Sequence, residues 1–268
     1  MNLNNYKKEV VILPDPHIMS CLTQLRLPGM KAEYMRQDDL WHTMEPLPFE
    51  ERFLMLVNAE QNRRENNKLI KSLRDANLRD KTAALESLIY MPARNIDRQF
   101  IARISDCSFI KEGRDVLLTG ATGTGKSFLA SAFGVAACHA GYSVCTYKMH
   151  RLLMDVNVRV NDGTYEKTLA SLKKPDLLIL EDFGMESISP NFCRYFLEII
   201  DERRYAGRKS FIITAQLPVN EWHHVFEDMT AADAIMDRLV NFGAYRIDLK
   251  GPSMREMLTR QTPAGPVM

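Results

Sequence analysis

Eight residues, Gly120-Ala121-Thr122-Gly123-Thr124-Gly125-Lys126-Ser127, confine this chain to a small set of folds. They follow a short apolar run, Asp115-Val116-Leu117-Leu118-Thr119, and lead into Phe128-Leu129-Ala130-Ser131-Ala132-Phe133. Strand, glycine-rich turn and helix in that order let a backbone curl its N–H groups around an anion at a helix N-terminus. The glycines permit the curl, Lys126 can reach β- and γ-phosphates, and the Ser127 hydroxyl suits magnesium. Residues Gly120 to Phe128 are therefore expected to cradle a nucleoside triphosphate.

The rest of the chain divides by texture. From about Arg98 onward, apolar runs at 115–119, 144–147, 176–181, 210–214 and 245–249 alternate with helical patterns. Those patterns fall at 126–140, 150–160, 165–173, 190–206 and 231–241. Such alternation predicts an α/β fold, a five-stranded parallel sheet flanked by helices. Ser189-Pro190 reads as a capped helix start and Gly207 as its stop. The first hundred residues show no strand alternation beyond Val10-Val11-Ile12-Leu13. Helices are expected there from Ile18 to Gln37, broken near Pro28-Gly29, then from Phe49 to about Leu73, and from Ala83 to Tyr90. The expected organisation is a small all-helical domain over 1–97, the α/β domain over 98–260 and a disordered tail from Gln261.

A phosphate cradle needs a second acidic strand end, and Asp176-Leu177-Leu178-Ile179-Leu180-Glu181-Asp182 supplies it. Buried strand, then charge at its C-terminal edge, is where ligands collect in open α/β sheets. Glu181 and Asp182, with Ser127, are the expected magnesium residues. One strand on, Phe211-Ile212-Ile213-Thr214-Ala215-Gln216 ends in polar side chains, either of which could face a γ-phosphate or an attacking water. Arg238, by periodicity alone, is a solvated helix residue.

Several classes fall away. Asn67-Lys68-Leu69-Ile70 lacks the aspartate of a guanine-reading motif, and no transporter-type signature is present. His223 and His224 have no third ligand at metal spacing. Five cysteines, odd in number and without a CxxC pair, argue against disulfides and fit the cytoplasm. No apolar run nears the roughly 20 residues of a membrane span, and the first residues are unlike a signal peptide. A net charge of +1 gives no bulk argument for nucleic acid.

Taken together, these residues resemble the IstB-like transposition helper ATPases, relatives of the DnaC helicase loader within the AAA+ group. The resemblance rests on Leu25-Arg26-Leu27-Pro28-Gly29-Met30, Gly120 to Ala130, Leu177 to Gly184 and Ile212 to Pro218. It continues through Ala232 to Leu239 and Gly251-Pro252-Ser253-Met254-Arg255. It implies an ATP- and magnesium-dependent ATPase that binds duplex DNA, forms homo-oligomers and helps a transposase of the same element select its target. Arg238 then matches an arginine supplied to a neighbour's nucleotide, Gln216 a γ-phosphate sensor, and Arg255 a late phosphate-contacting arginine. Such a trans arginine stabilises charge on the transferring phosphoryl group. Phe109 and Ile110 are guesses for the adenine contact. A helicase loader acting in replication, or a small-molecule kinase, would use the same phosphate loop.

One departure stands out. The common AAA+ order is aspartate then glutamate, whereas here Glu181 precedes Asp182. Shortening the base by one methylene withdraws its oxygens by about 1.5 Å, and misplacements near 1 Å can cost roughly a hundredfold. Slow hydrolysis and a long-lived ATP-bound assembly are expected.

DNA contacts must be local. Between Gln61 and Lys81 lie seven basic residues (Arg63, Arg64, Lys68, Lys71, Arg74, Arg79, Lys81) against three acids, an excess of four. Lys68, Lys71 and Arg74 share one side of a helix, suited to following a phosphate backbone. Lys148, Arg151 and Arg159 flank the segment where initiator-type AAA+ proteins carry a DNA-facing helix. Backbone contacts with little base reading are expected.

Overall fold

The computed structural model describes residues 14–44, 46–241 and 243–261. The Val10–Leu13 run lies outside them, as do residues 262–268 of the expected tail, while its first residue, Gln261, ends a helix. Chain contacts form two compact units, Met1–Ile70 and Lys71–Met268.

The first unit is helical: α1 (Pro16–Gln24), α2 (Pro28–Asp39), α3 (Trp41–Met44) and most of α4 (Phe49–Asp75). The break between α1 and α2 falls where Pro28-Gly29 was expected to place it. Pro28 opens α2, where its missing N–H costs no hydrogen bond. Gly29 is there because α4 passes too close for a side chain. A Cβ at Gly29 would lie 2.7 Å from Glu60 Cα and 2.8 Å from the Ala59 carbonyl oxygen. The Gly29 amide donates to Glu60 Oε2 at 2.6 Å. Glu60 is buried, and Arg63 and Arg64 close on its other oxygen at 2.8 and 2.7 Å. Arg63 above all, then Arg64 and the Gly29 amide, draw the Glu60 carboxyl down to about 2 against its burial.

The second unit runs α5 (Arg98–Ile104), α6 (Ser108–Glu112), β1 (Val116–Gly120), α7 (Lys126–His139), β2 (Val144–Lys148) and α8 (Met149–Asn161). It continues with α9 (Tyr165–Lys173), β3 (Leu177–Phe183), α10 (Pro190–Tyr205), β4 (Ser210–Ala215), α11 (Met229–Met236), β5 (Tyr245–Leu249) and α12 (Met254–Gln261). The five strands are all parallel in the order β2-β3-β4-β1-β5. Each lies within two residues of its expected span. The central strands β1, β3 and β4 are buried almost end to end, whereas the edges β2 and β5 alternate. Burial on both faces is why the central strands read as continuous apolar runs. One layer packs Phe183, Phe192, Phe196, Ile213, Trp222 and Leu239 beneath α8, α10 and α11.

Ala76, Leu78, Ala83, Leu85 and Leu88, on the N-terminal side of the expected 97/98 boundary, are buried within the second unit. Two local readings change. The helix expected over Ala83–Tyr90 is a single 3-10 turn, Leu85–Ser87, entered through an extended Ala84. Ser189 precedes α10, but its hydroxyl makes no capping bond and Pro190 alone fixes the start. At the opposite end of the sheet, fully buried Arg203 donates to the carbonyls of Leu172, Pro175 and Ser210 at 2.6, 2.9 and 2.8 Å. Its guanidinium also lies over the Phe211 ring, and burial pulls its pKa down to about 10.

Candidate nucleotide site

The turn after β1 is shaped by backbone that only glycine tolerates. Gly120 has φ +136°, and a Cβ there would sit 2.1 Å from the Leu249 carbonyl oxygen on β5. Thr124 is buried and its hydroxyl donates to the Ala121 carbonyl at 2.8 Å, tightening the loop from inside. Lys126, at the first turn of α7, is buried and its Nζ donates to the carbonyls of Gly120 and Ala121 at 2.7 and 2.8 Å. Burial draws its pKa down, while the charge of Asp182 opposes that.

Beside the loop lies a cavity of about 600 Å³. Thr122, Gly123, Gly125, Lys126, Ser127 and Phe128 line one side, and Asp182 and Gln216 reach it from β3 and the end of β4. Six of the nine expected loop residues thus face the cavity. Gly120, Ala121 and Thr124 are not among its lining and instead hold the loop's shape.

The two acids at the end of β3 have different surroundings. Glu181 is 3% exposed. Burial pushes its carboxyl up, the Ser127 hydroxyl pulls it the other way, and the neighbouring Asp182 adds to the rise. Asp182 follows at φ +61°, where the β3–β4 register shifts between Leu180 and Phe183. Such a bulge re-aims a side chain, and aspartate is among the residues that tolerate the left-handed region. The Asp182 amide donates to Thr214 Oγ1 at 3.2 Å. Buried Thr214 therefore steadies the bulge, and of the two polar residues ending β4 only Gln216 lines the cavity. A buried, destabilised carboxylate, a serine hydroxyl and a second carboxylate are hard oxygen donors. They fit magnesium, which takes few protein ligands and completes its shell with phosphate and water. Among the described residues there is no cluster of three or more histidine, cysteine or acidic residues of the kind that holds a metal alone.

The cavity's third wall was only partly expected. Arg255 lines it from α12 beside Met254, whereas Leu88, Ile89 and Arg94 from the irregular segment before α5, with Arg79 further upstream, were not read as part of it. Arg94 is buried, donating to the Ile89 carbonyl at 2.6 Å and the Thr124 carbonyl at 2.9 Å, so it ties that segment to the loop. Arg79 Nη1 lies 3.5 Å from Ser127 Oγ. Phe109 and Ile110, guessed as base contacts, are instead core residues: both are buried, and Phe109 packs edge-on against Phe133.

Arg238 does not line this cavity. It sits in a π-turn, Asp237–Asn241, after α11 and pairs with Asp201 on α10. Of the expected DNA residues, Arg63 and Arg64 are engaged with Glu60, and Arg159 pairs with Asp162 at 3.6 Å. Lys68, Lys71, Lys148 and Arg151 are exposed. No helix among the described residues is long and apolar enough to cross a membrane.

Comparison with known proteins gives this geometry a family. A family described as IstB-like ATP binding protein matches residues 20–262. An insertion sequence ATP-binding protein of Sinorhizobium fredii is 36% identical over 239 residues, 89% of this chain and 94% of its own. One from Pseudomonas fluorescens is 37% identical over 202 residues, 75% of this chain and 86% of its own. Among solved structures, DnaI superposes with a TM-score of 0.54 at 22% identity, over 63% of this chain and 92% of that one. AMPPCP-bound DnaA from Aquifex aeolicus gives 0.52 at 18% identity, over 68% of this chain and 55% of that one. Identities this low speak to the fold alone, which is that of the P-loop AAA+ proteins. The family match spans both compact units, and the chain belongs to the IstB-like ATP binding proteins.

Proposed function

We propose that this protein is a slow magnesium-dependent ATPase that assembles with copies of itself on duplex DNA and assists a partner transposase in selecting a target. The observation that carries the reading is the convergence of loop, acid bulge and Gln216 on one cavity. Lys126 and the loop amides hold the phosphates, and Ser127 and Glu181 hold magnesium, which supplies positive charge to the triphosphate. Asp182 orients the attacking water and Gln216 reads the γ-phosphate. Leu88, Ile89 and Met254 give the apolar wall that a base requires. Arg238 lies outside the cavity of its own chain, which supports a role at a neighbour's nucleotide. Such an arginine is worth roughly 10³–10⁵ in rate. Exposed Lys68, Lys71, Lys148 and Arg151 suit DNA backbone, and the relatives' names as insertion sequence proteins favour transposition over replication.

The test is ATP turnover per subunit against protein concentration, with magnesium and duplex DNA present. Turnover should rise with concentration in the wild type and stay low and flat in Arg238→Ala. A per-subunit rate independent of concentration in both would overturn the shared site.

A further inference from the structure

Arg238 is caught at three points within its own chain. Its Nε forms an ion pair with Asp201 Oδ1. Its Nη1 donates to the Ala234 carbonyl at 2.9 Å. Its own carbonyl, at the start of the π-turn, accepts from Arg204 Nη2 at 3.0 Å. Asp201 and Arg204 lie three residues apart on α10, so one helix holds both the guanidinium and the backbone that bears it. Arg204 is itself fixed: it donates to the Gly113 carbonyl at 2.8 Å and pairs with buried Asp115 at the foot of β1.

Seated in this way, the pair stands at the surface, with the Arg238 side chain 34% exposed and that of Asp201 33% exposed. Ion pairs this exposed add little to stability. What the pairing does is remove rotamer freedom from a long side chain. Two of the three guanidinium nitrogens are held, and Nη2 has no hydrogen-bond partner among the described residues. A charge donor fixed before reaction needs no reorganisation when the transition state forms, which is how such groups act most strongly.

We infer that Asp201 is a positioning residue for the trans arginine: its carboxylate holds Arg238 aimed outward for the triphosphate of a second copy of this chain. The inference rests on the shared-site reading above and adds a residue that no sequence signal marks. It assigns Asp201 to the subunit that lends the arginine, not to the subunit that binds the nucleotide.

That asymmetry is testable by mixing subunits on duplex DNA with magnesium-ATP. Lys126→Ala subunits cannot hold nucleotide but keep the arginine; Arg238→Ala subunits hold nucleotide but lack it. Mixed, the two should recover turnover that neither shows alone. Adding Asp201→Asn to the Lys126→Ala donor should cut that recovery by about tenfold or more. Asp201→Glu, which keeps the charge, should restore part of it. Adding Asp201→Asn to the Arg238→Ala acceptor should leave recovery intact, which also shows that the variant folds and binds ATP. Full recovery with the Asp201→Asn donor, or equal loss on both sides, would overturn the assignment while leaving the shared site standing. No recovery with the unmodified pair would overturn the shared site and Asp201 together.

Discussion

Asp182 meets two demands at once. It stands one residue beyond a buried acid, where a strand would send its side chain to the opposite face. It is also one methylene shorter than the glutamate usual at that place in the AAA+ group. The bulge answers the first demand: at φ +61° the backbone turns Asp182 to the cavity, with its amide on Thr214. The second is only partly answered, because a turned backbone does not lengthen a side chain. Asp182→Glu is therefore expected to raise ATP turnover, by up to about a hundredfold if reach alone limits it. An unchanged or lower steady-state rate, with nucleotide affinity intact, would show that the bulge already compensates. The two carboxylates were legible in the sequence because an apolar run ending in charge is a local signal. The bulge was not, because the sequence Glu-Asp-Phe-Gly contains nothing that requires a left-handed aspartate.

At the scale of elements, α4 shows how burial reassigns a charge pattern. From Glu60 to Lys68 the helix is wholly polar and reads as a solvated face. Close packing at Gly29 instead buries Glu60, and Arg63 and Arg64 are drawn to it. Their guanidinium groups are committed to a buried carboxylate, while Lys68 and Lys71 remain exposed. The two halves of the basic stretch should thus behave differently. Lys68→Ala with Lys71→Ala should weaken duplex binding and reduce the slope of log K against log salt by about 1.8, with unchanged thermal stability. Arg63→Ala with Arg64→Ala should lower the unfolding temperature first, by leaving Glu60 buried without its partners. An unchanged salt slope in the lysine variant would remove α4 from the DNA-binding surface. The segment before α5 teaches the same lesson. Leu85 and Leu88 have helical spacing, yet with Ala83 they are buried along a largely extended path that carries Ile89 and Arg94 to the cavity. Sequence periodicity reports which residues are buried more readily than the backbone route that buries them.

For the whole molecule, the parallel sheet flanked by helices was legible in the phosphate loop and the alternation that follows it, whereas the order β2-β3-β4-β1-β5 was not. Once β1 feeds the loop and β3 brings the acids, parallel pairing leaves little choice of architecture. Arg238 stands apart from the cavity of its own fold, and the proposed shared site would be complete only between two copies. The proposed shared site requires assembly, and particle mass tests it most directly. Mass should be measured for the protein alone, with magnesium-ATP, with duplex DNA, and with both together. Both together should give a particle of several subunits, and Lys126→Ala should prevent it. A monomer under every condition would contradict a nucleotide site shared between two copies.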